Sequence, residues 1–165
     1  MRTLIRKVDA SVARLEYLIL MLLMAALTLI LTAQVILRYF FSSPLFWAEE
    51  VSVQILIATT FIGASYLLYS AKLVRVDFIL LHLNTKLYWL VERILQLITL
   101  LVLGVICYFA TEWILDPMTR IDVSPTTQLP RWYNYALLVA SFYCMVFHQL
   151  VKLLLPIEKG QEFTS

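Results

Sequence analysis

Arg38, Trp47, Glu49 and Glu50 are the residues of this chain that simple packing explains least. They fall in one stretch, Arg38-Tyr39-Phe40-Phe41-Ser42-Ser43-Pro44-Leu45-Phe46-Trp47-Ala48-Glu49-Glu50, which joins two long apolar runs. A single acid early in a helix is favoured by the positive end of the helix dipole. Two adjacent acids at the entrance to an apolar run need more than that. Neighbours on a helix point about 100° apart, so the pair addresses two different surfaces. Arg38 closes the preceding run at nearly the same depth and is placed to neutralise one of them. The other is left for a partner or a neighbouring helix. Glu50 shares a face with Gln54, four residues on. Ionisable groups at membrane depth are candidates for function by default, and this stretch is the candidate site.

The elements that position these residues are apolar. Hydrophobic residues make up 62% of the 165 and charged residues only 15%, against roughly half and about a quarter in an ordinary soluble domain. Four runs contain no Asp, Glu, Lys or Arg: Tyr17–Leu37, Val51–Ala71, Ile94–Thr111 and Trp132–Val151. Each is about 20 residues, the length that crosses a hydrocarbon core of roughly 30 Å. With no water there to satisfy the backbone, such runs must be helical. The expected fold is an all-α membrane protein forming a single domain over 1–165. Its expected parts are an interfacial N-terminal helix over 1–14 and transmembrane helices over about 15–38, 44–71, 87–112 and 131–155. Ten of the thirteen basic residues lie before the first span, between the second and third, or after the fourth; only Arg38, Arg120 and Arg131 lie on the other side. This bias places both termini in the cytoplasm. The first apolar run is too long for a signal peptide and is expected to be retained.

Along the chain, Leu4, Ile5, Val8 and Val12 share a face of the leader, the pattern of a helix lying in the interface. Glu16, at the edge of the first span, is expected to pair with basic neighbours. Ser43 is a candidate cap for the second helix, and Pro44 suits its first position, where no N–H is needed. Pro44 to Ala71 would make about 42 Å of helix at 1.5 Å per residue, so its first turns project into the interface, with Trp47 at headgroup depth. Thr59 and Gly63, followed by Ala64 and Ser65, form a strip of small residues that lets helices approach closely, within this chain or with another protein. Lys72–Lys86 reads as an interfacial helix or turn, with Arg75 and Asp77 as its polar features and His82 an interfacial side chain. The longest polar connection is Glu112–Arg131. The fourth span opens on Pro130 and Trp132, a second proline start with belt aromatics, and carries His148 late, facing other helices. Cys107 and Cys144 lie inside spans and form no Cys-x-x-Cys pair, so they read as small packing residues.

Phosphate loops, clustered metal ligands and nucleophile–base pairs have no candidates in the sequence, so no enzyme activity, cofactor or nucleic-acid partner is expected. No span carries an acid at its midpoint, and inverted repeats with broken spans, the hallmark of secondary-transporter sites, are missing. The chain reads as a partner subunit surrounded by membrane lipid. The alternative is a self-associating four-helix channel or small exporter.

The hairpin, as Arg38-Tyr39 and Ser43-Pro44-Leu45-Phe46-Trp47-Ala48-Glu49-Glu50 with Phe61 and Gly63 after it, resembles the signature of the small membrane subunit, DctQ type, of tripartite ATP-independent periplasmic (TRAP) transporters. Arg75-Val76-Asp77 and Leu129-Pro130-Arg131-Trp132 resemble family positions too. Leu73 departs from the pattern, standing close to where many relatives carry a histidine. The resemblance implies a bacterial inner-membrane complex in which a periplasmic binding protein captures an organic acid (a dicarboxylate, a keto acid or sialic acid). A large multi-spanning subunit would then move the acid with sodium. The small subunit would brace the fixed scaffold of the large one and help present a docking surface to the binding protein.

Overall fold

The computed structural model describes residues 2–43, 45–70 and 85–155. Pro44, Arg75, Asp77 and His82, with most of the expected interfacial segment at 72–86, lie outside the described residues. Four long apolar helices carry the fold: α1 (Arg2–Phe40), α2 (Phe46–Tyr69), α3 (Thr85–Leu115) and, after the short α4 (Pro117–Ile121), α5 (Trp132–Leu154). No strand occurs among the described residues; one isolated bridge joins Val123 to Pro130.

The leader is not a separate helix. α1 runs 39 residues without a break, about 58 Å at 1.5 Å per residue. That is nearly twice a hydrocarbon core of roughly 30 Å. Neither glycine nor proline interrupts Arg2–Phe40, so nothing stops the hydrogen-bond ladder. Asp9, Ala13 and Glu16, spaced to share one face, are all buried, which anchors the leader to the bundle. At its other end α1 stops where Ser42 takes the left-handed conformation (φ 50°). There the Phe41 and Ser43 N–H groups both donate to the Leu37 carbonyl. The Ser43 N–H thus serves the end of α1, and Ser43 does not stand at the cap position of α2, which is Leu45. That helix begins at Phe46 behind Leu45, with no side-chain cap.

The helices pack in the spatial order α1, α2, α5, α3. The two middle helices carry most of the buried side chains, whereas α1 and α3 leave their most apolar stretches almost uncovered. Leu22, Leu29 and Leu101 are each about 70% exposed (71%, 70% and 67%). The buried seams mix small and polar residues (Ala13, Ala48, Ala58, Ser52, Ser65, Ser141 and His148) with a few larger apolar ones, Ile62, Leu68, Val139, Met145 and Val151. Helices in lipid gain nothing from hiding leucine from a solvent as apolar as leucine, so small side chains and hydrogen bonds hold them together. Across α3 and α5, Gln149 donates to the Gln96 carbonyl (3.1 Å), Arg93 donates to the Leu153 carbonyl, and Thr111 meets Tyr143 at 2.9 Å. Lys152, at the end of α5, donates to the Leu68 carbonyl of α2.

Candidate functional site

At the hairpin end of the bundle the two adjacent acids part company. Glu49 turns toward α1, where Gln34 donates to it at 3.0 Å and Arg38 stands 3.9 Å away. The arginine and glutamate side chains are 59% and 70% exposed, so the ion pair is a surface contact. Glu50 turns the other way. Its Oε2 accepts from the backbone N–H groups of Thr126 (3.2 Å) and Thr127 (3.1 Å) and from the Thr127 hydroxyl (3.4 Å). One turn on, Gln54 donates to the Ser124 hydroxyl at 2.9 Å. The carboxylate expected to be left for a partner or a neighbouring helix thus has one oxygen occupied by a loop of its own chain, 76 residues away, while its Oε1 is buried without a hydrogen-bond partner among the described residues.

That loop is built to be held. Asp116 caps α4 by accepting from the Met118 N–H, and Pro117 fills the first helical position. Thr119, buried, donates to the Trp113 carbonyl. Ser124 N–H donates to Leu129 and Arg131 N–H to Asp122, the two bonds that flank the Val123–Pro130 bridge. In such a non-hydrogen-bonded pair no N–H is needed at either bridge residue, so proline is tolerated there. Pro130 consequently closes the loop, and α5 starts two residues later at Trp132. Gln128 makes the reversal with φ 55°, while the Tyr135 hydroxyl donates to Asp122 (2.8 Å) and Arg131 lies 3.6 Å from the same oxygen.

The other expected residues are spread out. Trp47 is 44% exposed, and Trp132 stacks on Tyr133 with centroids 4.1 Å apart. The Thr59 hydroxyl bonds back to the Ile55 carbonyl. Gly63 faces Leu20 of α1, where an added Cβ would stand 3.8 Å from the leucine, an ordinary contact. In the same strip Ser65 is fully buried.

Ser65 leads to a second cluster, at the end of the bundle that holds the start of α1 and the end of α5. Its hydroxyl donates to Glu16 Oε1 at 2.6 Å. Glu16 Oε2 lies 3.3 Å from His148 Nε2, and Asp9 Oδ1 lies 2.6 Å from His148 Nδ1. His148 is wholly buried, with Tyr69 5.3 Å away ring to ring. An imidazolium donates from both nitrogens and so answers both acids at once. Glu16 therefore pairs with α2 and α5 rather than with basic neighbours. Sequence reasoning missed this cluster, although Asp9 and Glu16 recur one heptad apart on the face that carries Ala13. His148 is also the only ionisable side chain in the Trp132–Val151 run apart from tyrosine and cysteine. Among the described residues no group of three acids, histidines or cysteines is arranged to hold a metal ion.

Four long apolar helices, exposed apolar flanks and polar ties between helices define a multi-pass membrane protein whose polar residues hold the chain together. The sequence profile of the tripartite ATP-independent periplasmic transporters, DctQ component, matches residues 27–159. The chain belongs to this family. No curated protein matches it.

Proposed function

We propose that this chain is the fixed scaffold subunit of a sodium-coupled importer of organic acids in the bacterial inner membrane. It braces the large transport subunit and presents its hairpin end to the periplasmic binding protein. Its termini lie in the cytoplasm. The observation that carries the reading is the use of Glu50. The Glu50 carboxylate, expected to be left for a partner or a neighbouring helix, accepts three hydrogen bonds from Thr126 and Thr127 through one oxygen, giving a braced polar cap at the hairpin end of the bundle. A brace needs rigid ends and apolar sides, and this chain has both. The test is uptake of the cognate acid by cells carrying Glu50→Ala, with the amount of assembled complex measured in parallel. Loss of uptake together with loss of complex supports the reading. Normal uptake with normal complex contradicts this role for Glu50.

A further inference from the structure

We infer that a cleft between α1 and α2, at the end of the bundle that holds the start of α1, binds the headgroup of an anionic phospholipid. The cleft, about 190 Å³, is lined by Ala10, Ala13, Arg14, Tyr17, Tyr66 and Tyr69. Ala10, Ala13, Arg14 and Tyr17 share one face of α1 by their spacing, and Tyr66 and Tyr69 face them from α2. Two alanines make the room; the tyrosines make the wall, with Tyr17 and Tyr66 centroids 5.6 Å apart and Tyr66 and Tyr69 6.4 Å apart.

The charged side chain in the lining is Arg14, while the Asp9 carboxylate, close enough to act on Tyr69, is held by His148. Asp9 and Glu16, the acids of this part of α1, are turned onto His148 and Ser65. Arg14 is left as the charged group of the lining, with Arg6 and Lys7 about two turns away on the same helix. Among the described residues neither the Arg14 guanidinium nor the hydroxyls of Tyr17, Tyr66 and Tyr69 have a hydrogen-bond partner in the chain. A guanidinium and three phenol donors around one opening match the acceptor oxygens of a phosphodiester.

Its position favours a lipid over a free anion. Tyr17 opens the first charge-free run, which sets the cleft at the boundary between headgroups and hydrocarbon. Leu18 (53% exposed) and Leu22 (71% exposed) continue down the uncovered side of α1, an apolar track on which acyl chains can lie below a headgroup held at Arg14.

The test is native mass spectrometry of the full chain released from detergent with equal amounts of phosphatidylglycerol and phosphatidylcholine of the same acyl chains. The wild-type protein is expected to retain phosphatidylglycerol about fivefold over phosphatidylcholine, the attraction one arginine adds beside an anionic headgroup. Arg14→Gln is expected to bring the two to parity, and Tyr69→Phe to lower the preference. Arg6→Gln, outside the cleft, is expected to keep it; helix content by circular dichroism checks that each variant is folded. An Arg14→Gln protein with the wild-type preference would overturn the assignment. So would displacement of phosphatidylglycerol by inorganic phosphate, which would make the site one for free anions.

Discussion

Glu49 and Glu50 are neighbours in sequence, yet the physics of their contacts assigns them very different weights. An exposed pair at 3.9 Å is screened by water and contributes at most about 1 kcal/mol. Arg38→Ala should therefore barely shift the thermal midpoint of the purified protein. Glu50→Ala strips two backbone N–H groups, on Thr126 and Thr127, of the one acceptor that holds both to α2. It should lower the midpoint clearly and expose the 122–131 loop to protease, with Glu50→Gln, which keeps an acceptor oxygen, falling between. Equal midpoints for Arg38→Ala and Glu50→Ala would show that the loop is held by something else. His148 carries the largest single effect. Removing one partner of a buried ionic cluster costs about 3–5 kcal/mol, and His148→Ala leaves Asp9 and Glu16 facing each other across the gap. That variant should give little folded protein in a size-exclusion assay. Recovery at wild-type yield would contradict the tie.

At the scale of elements, the long α1 is what brings Asp9 and Glu16 onto one buried face. Inserting a single alanine between Ser11 and Val12 would turn Asp9 about 100° away from Glu16 while removing no side chain and leaving the charge unchanged. The variant should lose stability to about the same degree as Asp9→Ala, measured by thermal unfolding. A midpoint equal to wild type would mean that the leader is not docked through Asp9. The sequence made the four long helices legible because absence of charge over twenty residues is a strong signal in lipid. It made the ends less so. The change from a mixed to an apolar composition near Arg14 looks like a boundary, yet composition does not break a helix that lacks proline and glycine. Ser43 next to Pro44 has the chemistry of a cap, but α2 starts at Phe46 behind Leu45, which puts Ser43 two residues before the cap position. The partners of Glu50 lie 76 residues away, a distance that no local pattern bridges. The hairpin acids were legible as unusual; what they hold was not.

For the whole molecule, the order α1, α2, α5, α3 leaves two long helices at the edges with apolar faces uncovered, and the polar groups gathered at the two ends. This is a layer with broad sides to offer lipid or another membrane protein, and its family places it in a three-part transporter. The central claim, that the chain works as a brace for a larger subunit, is tested most directly by a mild-detergent pull-down from the native membrane with mass spectrometry of what accompanies it. A large multi-spanning protein recovered in equal amount is the predicted result, and its identity would point to the acid transported. Recovery of this chain alone, as a homo-oligomer of defined size, would contradict the account and support a self-contained channel or exporter.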